Sequence, residues 1–161
     1  MPASRRPTRV LVPTLALAAL TAGCFSSQPV SPVAGAPPAA LGSLSLSSGA
    51  LGDATIVPTA CEAGDRQFFL GGDFLDEKTG LVVRLVVDPL EGPAVRVFRA
   101  EKPFEGSRVF HRPDCAVFHF SLDSTGVRIN RVEDYRLTLD VDCRSRDGDR
   151  LSGQASTTHC H

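Results

Sequence analysis

Residues 135–143 (YRLTLDVDC) alternate without a break, with Tyr135, Leu137, Leu139 and Val141 on one face and Arg136, Thr138, Asp140 and Asp142 on the other. A period of two sends successive side chains to opposite faces of a pleated strand, whereas an amphipathic helix repeats every three to four residues. The same grammar governs the chain from Ala54 onward. Residues 66–74 (RQFFLGGDF) read as a β-rich run in which Gly71-Gly72 marks a bulge or tight bend. Leu81–Asp88 (LVVRLVVD) is apolar on both faces apart from Arg84, the pattern of a central strand covered on both sides. Ala94–Arg99 follows after a Pro/Gly turn, and Glu101–Asp114 reads as a loop. In Cys115–Leu122, Phe118, Phe120 and Leu122 share a face, and Asp123–Gly126 reads as a turn into a short strand over Val127–Val132. A turn at Asp147-Gly148 returns the chain along Arg150–Thr158, whose small polar residues suit an edge strand. The expected fold is all-β, an antiparallel sandwich or small barrel of about seven or eight strands.

The N-terminus follows a different logic. Met1–Arg9 carries three arginines and no acid, Val10–Leu20 is apolar, and Thr21-Ala22-Gly23 are small. The apolar stretch would rise only about 16–20 Å as a helix, short of a ~30 Å hydrocarbon core, so it reads as a signal peptide over 1–23 rather than a membrane span. Leu20-Thr21-Ala22-Gly23-Cys24 resembles the lipobox of bacterial lipoproteins, with Thr21 in place of the usual aliphatic residue. The resemblance implies cleavage before Cys24 and acylation of its thiol and amine, giving stable attachment to a membrane. Phe25, rather than aspartate, follows the cysteine, which favours the outer membrane. Residues 24–52 contain no charged residue and are rich in Pro, Ser, Ala and Gly. They are expected to be anchor and linker. Leu44, Leu46, Leu51 and Ile56-Val57 could still contribute a first strand, which puts the boundary of the β-domain, taken as 53–161, between Ala40 and Ala54.

Once Cys24 is assigned to the anchor, Cys61, Cys115, Cys143 and Cys160 remain, an even number in an exported domain. Two disulfides are expected. If 135–143 and 150–158 form a hairpin, Cys143 lies near its turn and Cys160 on the order of 25 Å away, too far for a bridge. If 115–122 lies antiparallel beside 135–143, Cys115 meets Cys143 and Cys61 is left for Cys160. One feature opposes this pairing: Cys115 is out of phase with Phe118 and Phe120 and would have to precede the regular strand. The body also resembles small bacterial lipoproteins with a cysteine-bridged β-domain. The shared features are Cys61 followed by Gly64-Asp65 and Phe68, and Leu139-x-Val141-Asp142-Cys143 followed by Gly153 and Cys160. That resemblance implies architecture and no activity.

The charge count separates into the same two parts. After the three leader arginines, 14 basic and 18 acidic groups remain, a net charge of -4 that disfavours nucleic acid as a partner. Metal binding is the alternative for His159-Cys160-His161 with Cys143, His111 and His119, but the spacing fits no zinc framework, so no metal and no cofactor are expected. Asp140-x-Asp142 and Asp147-x-Asp149 bring too few oxygens together for a calcium loop. Glu133-Asp134 reads as a water-facing pair at a strand entrance, and no nucleophile elbow, phosphate loop or metalloprotease helix occurs. No catalytic residues are therefore expected. The leading expectation is a non-enzymatic binding or structural module, anchored through acylated Cys24 and facing an envelope protein partner. Alternatives are a carrier of a lipid or other apolar ligand, lined by the phenylalanines, and an envelope polymer hydrolase built from sequence-distant residues.

Overall fold

A computed structural model describes residues 39–161. The segments read as signal peptide, lipobox with Cys24 and most of the linker lie outside the described residues. The chain is all-β. Its strands are β1 (Gly42–Ser47), β2 (Ala54–Ile56), β3 (Ala60–Ala63), β4 (Gly71–Asp76), β5 (Leu81–Asp88), β6 (Gly92–Arg99), β7 (Arg108–His111), β8 (Cys115–Ile129), β9 (Val132–Arg144) and β10 (Arg150–Cys160). They form two antiparallel five-stranded sheets, β2-β1-β10-β9-β8 and β3-β4-β5-β6-β7. The chain crosses between sheets twice, through residues 57–59 and through a 3-10 turn at Arg112–Asp114. The Asp76 carboxylate steadies the first crossing by accepting the Val57 amide at 2.9 Å, and Asp114 steadies the second by accepting the His111 amide at 3.0 Å.

The inner faces are the apolar phases of the alternating runs. Leu44, Ile56, Leu137, Leu139 and Leu151 from the first sheet meet Phe74, Val83, Val95, Val97 and Phe110 from the second, all fully buried. Each such side chain contributes roughly 1.5–3 kcal/mol by leaving water. β5 is the central strand of its sheet, as its two apolar faces require.

Several expectations are corrected. The domain begins before residue 53, within the Ala40–Ala54 window left for its boundary: Gly42–Ser47 is the first strand, with Leu44 and Leu46 in the core. β10 is consequently not an edge, because β1 pairs along it from Gly42↔Ala155 to Ser47↔Arg150. Two glycines permit that pairing. A Cβ on Gly42 (φ +137°) would lie 2.2 Å from the Gln154 carbonyl oxygen, and one on Gly153 (φ +126°) 2.3 Å from that of Ser43. The run at 66–74 is partly a 3-10 turn (Gly64–Gln67), with β4 starting only at Gly71. The loop 101–114 contains β7. Residues 123–126 do not reverse the chain; β8 runs on to Ile129 through a register shift, and the reversal falls at Asn130-Arg131, both at positive φ.

The disulfides are Cys61–Cys160 and Cys115–Cys143. The phase problem at Cys115 is solved by a bulge: Cys115 faces Cys143 while Val117 faces Asp142, so Ala116 is the extra residue and the strand's faces exchange there. Cys115–Cys143 staples neighbours in one sheet, whereas Cys61–Cys160 ties β3 of one sheet to β10 of the other.

Non-reducing peptide mapping should recover these two linked pairs and no Cys143–Cys160 peptide. The bridge separated by 99 residues should contribute more than the one separated by 28. Loop-closure entropy gives about 4.7 against about 3.6 kcal/mol, so C61A/C160A should lose about 1 kcal/mol more than C115A/C143A in urea unfolding. In the same assay Gly153→Ala should cost about 3 kcal/mol, since strain and a backbone clash coincide. Gly148→Ala, at φ +88° with open space around it, should cost only about 1 kcal/mol.

Candidate functional site

The outer face of the second sheet is the least ordinary surface of the domain. Along one cross-strand row Asp73 faces Arg84, and Arg84 faces Arg96; along the next, Leu75 faces Val82, and Val82 faces Phe98. Two arginines directly opposite one another repel. The structure offsets this in two ways. Asp73, nearly buried, takes Arg84 in a two-pronged pair, Nε–Oδ1 at 2.8 Å and Nη2–Oδ2 at 2.7 Å, and Gln67 accepts from the same guanidinium. Phenylalanines flank the cations: the Arg84 guanidinium lies 4.3 Å from the Phe69 ring centre and 5.1 Å from that of Phe98, and Arg96 lies 5.6 Å from Phe98 and 5.8 Å from Phe104. The result is a stack in which both guanidiniums share Phe98, with Phe69 beside Arg84 and Phe104 beside Arg96. Such contacts contribute about 0.5–2 kcal/mol each, most where water is excluded.

The segment 100–107 folds over one end of this stack. Arg96 Nη2 donates to the Pro103 carbonyl at 2.9 Å and to the Ser107 hydroxyl at 3.1 Å. Arg96 Nε is buried with no acceptor among the described residues. Between this overhang and the strands runs a groove of about 320 Å³, lined by Glu62, Leu75, Val82, Arg96, Phe98 and Phe104. Phe104 stands over it with 83% of its surface exposed. A surface that keeps large rings at the rim and holds its polar groups in fixed positions is suited to binding.

A second cluster surrounds Asp134 at the start of β9. Glu133-Asp134 does not face water as a pair: Asp134 is 1% exposed, because the end of β10 and the irregular part of β8 close over it. Its carboxylate accepts the Cys160 amide at 3.0 Å, the Thr125 hydroxyl at 2.9 Å and the His159 Nδ1–H at 2.9 Å, with His161 Nδ1 at 3.8 Å. Glu133 instead takes Arg128 at 2.8 Å and the Ser124 hydroxyl. The hydrogen bond from His159 is the main influence that holds the Asp134 carboxyl below its usual range; burial opposes it, and Thr125 and the Cys160 amide reinforce it. Thr125 donates to the carboxylate rather than to the imidazole, so this trio satisfies a buried anion and does not present a base to a nucleophile.

Of the residues singled out from sequence, Cys61, Cys160, Cys115 and Cys143 are joined as bridges, which removes Cys143 and Cys160 as metal-ligating thiolates. Among the described residues no three His, Cys, Asp or Glu side chains converge as a metal site. Asp149, weighed as a calcium ligand, is buried and serves the fold by pairing with Arg108 at 2.6 Å and accepting the Gly49 amide at 3.1 Å. Cys24 lies outside the described residues. The stack was not singled out from sequence. Its signal was Arg84 and Arg96 breaking two apolar runs at outward positions, with phenylalanines nearby.

A carboxyl whose folded pKa is lowered contributes stability above its unfolded pKa of about 3.9 and loses it as pH falls through the folded value. Asp134→Asn should therefore cost about 2–4 kcal/mol at pH 7. Its deficit relative to the parent should shrink below about pH 4 in urea unfolding followed against pH. A deficit constant down to pH 2 would remove the linkage. No protein-family model matches the chain, and no curated protein or solved structure matches it.

Proposed function

We propose that the chain is an exported lipoprotein, held at a membrane by acyl chains on Cys24, whose β-domain is a non-enzymatic module that binds an envelope protein. The observation that carries this reading is the phenylalanine–arginine stack beside an open groove on the outer face of the second sheet. Aromatic rings and arginines are the side chains most enriched where protein interfaces concentrate their energy. The Arg84 charge is already met by Asp73, so the groove is no clamp for a polyanion. It offers ring faces, the Leu75 and Val82 side chains and a few fixed donors, which fits an extended segment of mixed apolar and polar character. The phenylalanines support an external site over an internal cavity. Among the described residues only Phe74 and Phe110 lie wholly between the sheets, while Phe69, Phe98 and Phe104 build the outer stack. The two disulfides fit an oxidising, exported setting.

Two measurements on the full chain in cells test the proposal. Labelled palmitate should enter the parent protein and not Cys24→Ser, and a labelled C24S protein would overturn the anchor. A photo-crosslinking residue at Phe104 should yield a discrete protein adduct that Arg96→Ala and Phe98→Ala reduce by about tenfold, matching the ~1.4 kcal/mol that interface arginines and aromatics commonly supply. The same probe at Ser45, exposed on the first sheet, should give none. Equal adducts at both positions would overturn the assignment of the groove.

A further inference from the structure

Each sheet ends in two edge strands, and three of the four are short: β2 has 3 residues, β3 has 4 and β7 has 4. Short edges are one of the ways by which proteins prevent unwanted strand pairing. β8 is the exception, with 15 residues. Its register with β9 breaks between Cys115 and Val117 and again between Ser124 and Arg128, so Val117–Ser124 is one regular stretch framed by irregularities. That stretch (VFHFSLDS) contains no proline or lysine, two of the residues that blunt an edge. On its inner face Phe118, Phe120 and Leu122 are only partly buried against the core, unlike their β9 neighbours Leu137 and Leu139, which are fully buried.

We propose that β8 pairs antiparallel with β8 of a second copy of this chain, about a two-fold axis at Ser121, joining the two first sheets into one of ten strands. The register follows from the cross-strand rows. Within one copy Asp123 faces Arg136, His119 faces Asp140, Leu122 faces Leu137 and Phe120 faces Leu139. With Ser121 on the axis, Asp123 of one copy meets His119 of the second. The outer row then reads Arg136, Asp123, the second copy's His119, the second copy's Asp140, with donors and carboxylates alternating. The inner row reads Leu137, Leu122, the second copy's Phe120, the second copy's Leu139, apolar throughout. Each row occurs twice by symmetry. Sliding the axis to Phe120 sets Asp123 against Val117, and sliding it to Leu122 sets Asp123 against Ser121. Either shift loses the charge alternation, so one register is selected. This contact uses the opposite sheet from the groove and does not depend on the binding reading.

The test is Ser121→Cys in the full membrane-anchored chain, with the four structural cysteines in place. On the axis the two introduced thiols face one another, so a dimer of twice the chain mass should appear on a non-reducing gel and vanish on reduction. Thr138→Cys, which occupies the same face one strand inward, should give none. Adding Asp123→Lys to Ser121→Cys should lower the dimer yield by about tenfold, since the change removes the carboxylate from both Asp123–His119 contacts and sets a cation opposite Arg136. Recovery of the Cys61–Cys160 peptide from each variant shows that the domain has folded. Any of three results overturns the proposal: no dimer from folded S121C, equal dimer from T138C, or a crosslinked product whose partner is a different protein.

Discussion

The bond between Cys61 and Cys160 holds the architecture together. It joins an edge strand of one sheet to an interior strand of the other across 99 residues of sequence. A chain of this size buries a limited core, and a crosslink over a long loop removes much of the unfolded chain's freedom. The polar groups around the bridge are arranged to protect it. The Cys160 amide is bonded to buried Asp134, and that carboxylate in turn gathers Thr125 from β8 and His159 from the end of β10. One anion thus fixes three strands beside the sulfur bridge, and its protonation loosens all of them together.

β10 itself lies between β9 and β1 and is no edge, because β1 pairs along it from Gly42 to Ser47. Its small residues then serve close approach: Gly153 and Gly42 let the β1 and β10 backbones meet where any Cβ would strike a carbonyl. At the opposite end of the same sheet, β8 pairs with β9 alone among the described strands. The longest strand of the domain therefore becomes an edge, with partly covered phenylalanines along it.

The outer face of the second sheet shows how like charges are accommodated on adjacent strands. Arg84 and Arg96 face each other across β5 and β6, a repulsive placement in isolation. A buried carboxylate on one side and aromatic faces against both guanidiniums offset the conflict. The same stack leaves Phe104 at a rim and Arg96 Nε without an acceptor among the described residues, so the surface is hydrogen-bonded in part and incompletely satisfied at once. That combination is characteristic of surfaces that gain by covering.

Local chemistry was enough to read the all-β class, the central place of β5, the β9–β10 hairpin and the disulfide pairing, because alternation and strand rise are properties of the chain itself. Sequence alone also supplied the leader and lipobox pattern that motivates the anchor at Cys24. The start of the domain at Gly42, the short strand β7, the bulge at Ala116 and the turn at Asn130-Arg131 were decided by tertiary structure. In each case a partner strand remote in sequence overrode a weak local signal: β1 is polar on alternate positions and glycine-flanked, and becomes a strand because β10 is there to receive it. The groove belongs to the same class. Arg84, Arg96, Phe98 and Phe104 are ordinary residues in the sequence, and only the register of β5 against β6 stacks them.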